Sequence, residues 1–132
     1  MAPSASHRGS AGFTLLEVLV AAVIAALALG VLFSGAAGGI RTARIAAHVQ
    51  EATSRAQSRL AVLAHGAPPP LGTQSGEDGG GFAWRTAVTR VASQAGLALL
   101  DLGVTLSWQL DGGTRAVTLH TRRLVPLPRQ SP

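Results

Sequence analysis

The chain has 132 residues and a formal net charge of +5, with 47 % hydrophobic and only 4 % aromatic residues. That length holds one small domain and no more. It contains no cysteine, which excludes a disulfide framework, a zinc–thiolate site and a thiol nucleophile together. The 11 basic residues are all arginine and are scattered along the chain; with stacking aromatics nearly absent, that pattern argues against a nucleic-acid partner.

Residues 1–12 are short, polar and basic, with His7 and Arg8 as their only ionisable side chains. Phe13-Thr14-Leu15-Leu16-Glu17 then opens an apolar block. From 18 to 40 no charged residue occurs, and Ser34 is the one polar side chain. This run meets the ~20 apolar residues needed to span a bilayer core as a helix, the form that satisfies its own backbone in hydrocarbon. Gly30, Gly35, Gly38 and Gly39 weaken the helix in its second half and allow close helix approach. Glu17 is the informative residue. A carboxylate at a membrane helix centre costs roughly 2.5–3.5 kcal/mol, less near an end, so it needs a partner or the interface. One reading is a charge in the first helical turn, favoured by the macrodipole. An ordinary secretory signal competes as an account of the whole segment. Glu17 and the length of the apolar run fit it poorly, although Ala36-Ala37-Gly38 offers a small-x-small site.

The stretch Gly12-Phe13-Thr14-Leu15-Leu16-Glu17-Val18-Leu19-Val20-Ala21 resembles the processing site of type IV pilins and type II secretion pseudopilins. The resemblance implies that a prepilin peptidase cuts between Gly12 and Phe13, and that the new amino group of Phe13 is N-methylated. It implies further that Glu17 is an assembly residue, its carboxylate neutralised by the N-terminal ammonium of a neighbouring subunit or of its own chain. Such a pair in a low dielectric is strongly distance-dependent and sets axial register. Arg8 should stay cytoplasmic, but Arg41 and Arg44 follow the apolar block, so orientation rests on the resemblance rather than on charge.

Residues 41–66 continue as an amphipathic helix. Ile45, Val49, Ala52, Ala56, Leu60 and Leu63 fall on one face at a 3.6-residue period, and Glu51 and Arg55 form a favourable i,i+4 pair. Gly66 followed by Pro68-Pro69-Pro70 ends it. Either one helix runs from about Phe13 to His65, or an anchor is followed by a separate helix broken near Gly38-Gly39. A local bend at those glycines is expected in both cases.

Residues 67–81 read as an exposed loop rich in Pro and Gly. Glu77 and Asp78 within it suggest calcium, but the oxygen donors are too few and unevenly spaced, and a solvated loop is favoured. Phe82, Trp84, Thr86 and Val88 alternate with Ala83, Arg85, Ala87 and Thr89 as in a half-buried strand. The segment 91–102 is ambiguous: Ala and Leu favour a short helix, whereas Gly96 and Gly103 favour a loop at its edges. Val104, Leu106, Trp108 and Leu110 alternate again, Asp111-Gly112-Gly113 supplies a turn, and Val117, Leu119 and Thr121 return. The predicted fold class is therefore α+β and pilin-like: a long N-terminal helix, membrane-spanning in its first half, packed on a small antiparallel sheet. The predicted divisions are a leader at 1–12, a membrane and assembly helix at 13–40, an amphipathic helix at 41–66, a β-rich extracytoplasmic domain at 67–125 and a frayed tail at 126–132.

His7, His48, His65 and His120 are isolated in sequence, with no acidic or histidine partner at ligand spacing. No phosphate loop or nucleophile motif is present. Trp84 and Trp108 read as core or sheet-face residues. No enzyme, metal or cofactor is expected. Within the family the chain looks like minor pseudopilin I: the leader, one Trp in the first strand, the closing hairpin and the stretch 51–63 with Gln57 and Leu60 carry that likeness. It departs from the pattern in having no proline in the apolar helix and unusually dense Gly and Ala at 35–39. The resemblance implies an inner-membrane, single-pass protein with a periplasmic C-terminal domain. Its implied partners are the prepilin peptidase, other minor pseudopilins and the major pseudopilin. A minor pilin of a type IV pilus or DNA-uptake system, and a secreted binding domain whose mature form starts near residue 39, stand as alternatives.

Overall fold

The computed structural model describes residues 14–129. The leader, the expected scissile bond at Gly12–Phe13 and residues 130–132 lie outside the described residues. The elements are a helix α1 (Leu15–His65) and four strands, β1 (Gly72–Glu77), β2 (Phe82–Gln94), β3 (Leu97–Leu110) and β4 (Gly113–Pro126). The strands form one antiparallel sheet in the order β1-β2-β3-β4. This is the expected α+β class, with a long, initially apolar helix and a small antiparallel sheet.

The chain divides into two compact units, Met1–Arg44 and Ile45–Pro132. In the first, α1 is helical from Leu15 onward without interruption through Gly38 and Gly39, so the anchor and the amphipathic segment are one element rather than two. Thr42 Oγ1 donates to the Gly38 carbonyl at 3.0 Å, one turn back. Every described side chain of this unit is exposed, including Leu19, Ile24, Leu27, Leu32 and Phe33. Side chains exposed to this extent forgo much of the ~1.5–3 kcal/mol that full burial of each would give, so this surface suits lipid or the packing of other helices. By length and composition α1 is able to cross a membrane.

The core lies in the second unit, where residues 45–65 of α1 meet one face of the sheet. Ala52 and Ala56 are fully buried against Phe82, Val104, Leu106 and Trp108. Leu60, Leu63 and Ala64 pack on a second cluster of Val88, Ala98, Leu100, Leu102 and Val125. The alanines let the helix approach the larger sheet residues closely. One position of the predicted face differs. Val49 is 39 % exposed, and His48 instead lies against Phe82 and Trp108 at ring separations of 6.2 and 6.5 Å. Trp108 is buried and Trp84 packs at the margin of the first cluster, as expected of core residues.

Two segments of the sheet depart from expectation. The predicted loop at 67–81 contains β1, whose residues Gly72 to Glu77 pair with Val88 to Ala83. Its small polar side chains give no apolar alternation, so backbone pairing alone makes it a strand. Gly76 sits beneath the Trp84 indole, where an added Cβ would lie 2.8 Å from the ring. The ambiguous segment 91–102 is strand on both sides of a turn. β2 runs on to Gln94, Ala95 and Gly96 turn the chain with φ of 53° and 78°, and β3 begins at Leu97. The helix-favouring residues Ala98, Leu100 and Leu102 are held extended because alternate positions bury against α1, an instance of tertiary packing overriding propensity. The hairpin at Asp111-Gly112 forms as expected, with both residues at positive φ, the geometry of a type I′ turn.

The far end of the sheet is tied to the helix. Arg123 donates to the carbonyls of Leu63 and Gly66 at 2.8 and 2.7 Å, satisfying acceptors left over at the α1 C-terminus. Leu127 N–H donates to the Gly96 carbonyl at 2.8 Å, so the chain just beyond β4 is held rather than frayed at that residue.

Candidate functional site

The head of α1 carries a reciprocal cap. Glu17 N–H donates to Thr14 Oγ1 at 3.2 Å, and Thr14 N–H donates to Glu17 Oε2 at 3.3 Å. Thr-x-x-Glu is the sequence that makes this arrangement possible: the threonine hydroxyl takes an orphan donor of the first turn, and the glutamate reaches back to the N-cap amide. The helix dipole adds favourably to the carboxylate. Sequence reading placed Glu17 in the first turn, but it missed Thr14 as its partner, although the spacing carries that signal.

The cap uses one acceptor position of a carboxylate that has about four. Glu17 therefore keeps the capacity to bind a cation while it orders the first turn. Beside it the surface is a shallow groove lined by Val18, Ala21 and Ala22 together with Glu17. Such small residues beside an acidic group let another helix come close enough to present a donor to it. Gly12 and Phe13, the expected cleavage and methylation positions, lie outside the described residues.

A second polar cluster belongs to the Ile45–Pro132 unit. Asp78 receives Arg59 Nη2 at 2.6 Å on Oδ1 and faces Arg55 Nη1 at 3.4 Å on Oδ2. Its carbonyl accepts from Arg55 Nη1 at 2.7 Å. Arg55 also binds Glu51 at 2.6 Å, the predicted i,i+4 pair. The two guanidinium groups lie over aromatic rings, Arg55 4.7 Å from Phe82 and Arg59 4.1 Å from Trp84, which adds cation–π attraction. The hydrogen bond from Arg59, with support from Arg55, holds the Asp78 carboxyl below the usual carboxylate range. The expectation of a solvated Asp78 is thus corrected: it clamps the β1–β2 loop to α1. With both oxygens turned to arginines, Asp78 is not the open ligand that a calcium site would need, and among the described residues no group of three or more acidic or histidine side chains is placed to hold a metal.

One histidine gains an acidic neighbour through the fold. β3–β4 register sets Gly103 opposite His120 and Asp101 opposite Arg122. This brings Asp101 to 3.7 Å from His120 Nδ1 and 3.4 Å from Arg122 Nε. The pairing was invisible in sequence because it depends on strand register. No hydroxyl group hydrogen-bonds His120 among the described residues, so the pair is an exposed surface contact rather than a nucleophile–base arrangement.

Residues 7–33 match the family model described as the prokaryotic N-terminal methylation motif. No curated protein and no solved structure matches the chain. The matched stretch contains both the Thr14–Glu17 cap and the first part of the exposed apolar helix, and it supports a type IV pilin-like protein anchored in a membrane.

Proposed function

We propose that the chain is a minor pseudopilin, resembling minor pseudopilin I, acting in the tip complex that starts assembly of a type II secretion pseudopilus. In this role it supports export of folded proteins across the outer membrane. The observation that carries the reading is a capped glutamate at the head of a helix that is uncharged and exposed from 18 to 40, inside a methylation motif. Prepilin peptidase removes residues 1–12 by cutting between Gly12 and Phe13, and Phe13 becomes N-methylated. The apolar part of α1 holds the subunit in the inner membrane, with the 45–129 region in the periplasm.

Assembly follows from the cost of the Glu17 charge. In an apolar lattice of helices an unpaired carboxylate is disfavoured by several kcal/mol. The ammonium of a processed neighbour removes that penalty only when the two helices are in register. The charge thereby selects one axial offset among many that apolar packing alone would accept, and brings this subunit beside other minor pseudopilins and the major pseudopilin.

Deleting the gene in its host and following both export and surface fibres tests the reading. A pseudopilin predicts that exported proteins accumulate in the periplasm while surface pili and DNA uptake continue. Loss of pili or uptake with export intact would transfer the chain to the type IV pilus machinery instead.

A further inference from the structure

The two edges of the sheet are built differently. β1 is an edge strand of 6 residues, entered through Gly72 at φ 118°. β4 is an edge of 14 residues. It pairs with β3 without a register shift from Leu110↔Gly113 to Leu97↔Pro126, and it has no proline before Pro126. Alternate residues of such a strand turn their N–H and C=O groups away from its one partner, and no strand lies beyond β4 among the described residues. Its side chains are mostly exposed. A long, regular, unpaired edge is a template for another strand unless it is blocked.

The charges on β4 decide which strand. It carries Arg115, His120, Arg122 and Arg123 and no acidic residue. Arg123 is engaged with the Leu63 and Gly66 carbonyls, and Asp101 on β3 partly offsets His120 and Arg122. Arg115, opposite Trp108 at the other end, leaves the strand cationic at both ends. A second copy pairing antiparallel near full overlap would set Arg115 opposite or diagonal to Arg123 of the other copy, on the same face of the sheet, and like charges so placed are destabilising. The same charges attract an acidic strand.

We propose that the outer edge of β4 receives an extended, acidic segment of another protein as a fifth strand of the sheet. Main-chain hydrogen bonds along β4 supply affinity, as in other strand additions, while the arginines exclude self-pairing and select the partner. The site is separate from Glu17 and from the membrane helix, so its failure would leave the proposed function standing.

The test uses the full chain in detergent micelles and a short capped peptide of alternating glutamate and valine, with amide hydrogen exchange as the readout. The expected result is slowed exchange of alternate amides along residues 114–124 and weakening of binding as salt rises. The same peptide with lysine for glutamate should bind at least tenfold more weakly. Arg115→Glu combined with Arg122→Glu should reverse that preference. Equal binding of the two peptides, protection confined to β2 or α1, or protection of β4 that rises with protein concentration alone would each overturn the proposal. The comparison of peptides on the unmodified chain keeps it decidable if the double variant fails to fold.

Discussion

Thr14 and Glu17 cap each other at the head of α1: the Thr14 hydroxyl accepts from the Glu17 amide, and the Glu17 carboxylate accepts from the Thr14 amide. The pair separates two roles that a simple truncation of Glu17 would confuse. Glutamine serves in this cap as well as glutamate does, but it carries no charge to meet an ammonium. Glu17→Gln should therefore keep the first turn ordered, remain processed and fail to enter the polymer. Thr14→Ala should loosen the helix start by about 1 kcal/mol while retaining incorporation. Fractionation of assembled and membrane-retained protein checks both. Assembly of Glu17→Gln at the normal level would mean that the carboxylate matters only as a cap.

Asp78 predicts a pH dependence of the Ile45–Pro132 unit. Arg59 and Arg55 lower its pKa in the folded state, so the folded chain binds fewer protons than the unfolded one as pH falls. The stabilisation is fully present above an unfolded value of about 3.9 and is lost as pH drops through the lowered native value. Asp78→Asn should cost about 1–2 kcal/mol at neutral pH and flatten the acid limb of a thermal-melting profile. An unchanged acid limb would assign the acid sensitivity to other groups.

Ala95 occupies a positive-φ position beside Gly96, where a Cβ is unfavourable and Asn is tolerated. Ala95→Asn should raise stability by about 0.5–1 kcal/mol, read as an increase in melting temperature with the β2–β3 register intact.

Gly76 and Gly103 both face rings, yet they should differ. A Cβ at Gly76 would meet Trp84 ring atoms at 2.8–2.9 Å, and Trp84 is pinned beneath Arg59. A Cβ at Gly103 would meet His120 at 3.0–3.2 Å, and that side chain is 63 % exposed and free to rotate outward. Gly76→Ala should cost about 1–3 kcal/mol, and Gly103→Ala markedly less. Denaturant unfolding of the two variants makes the comparison.

The long apolar helix and the final hairpin were legible in sequence for physical reasons. An uncharged apolar run of this length favours a helix that satisfies its own backbone, and Asp111-Gly112 between alternating strands fits one tight turn. β1 was not legible because its residues bury little; its strand identity comes from the neighbour it pairs with. Ala95 gives no turn signal, so β2 and β3 ran together with a helix-like composition. The Asp78 clamp joins residues 19 and 23 positions apart, a proximity created only when the loop folds back on α1. His48, three residues after Ile45 and four before Ala52, falls on the same packed face and sets its ring beside Phe82 and Trp108, whereas Val49 lies at the exposed margin.

Mass spectrometry of the mature amino-terminal peptide, isolated from membranes of the native host, reads the central claim most directly. The account predicts a chain beginning at Phe13 and bearing one methyl group on its amine. A chain that retains residues 1–12, or one that begins near residue 39, would contradict it.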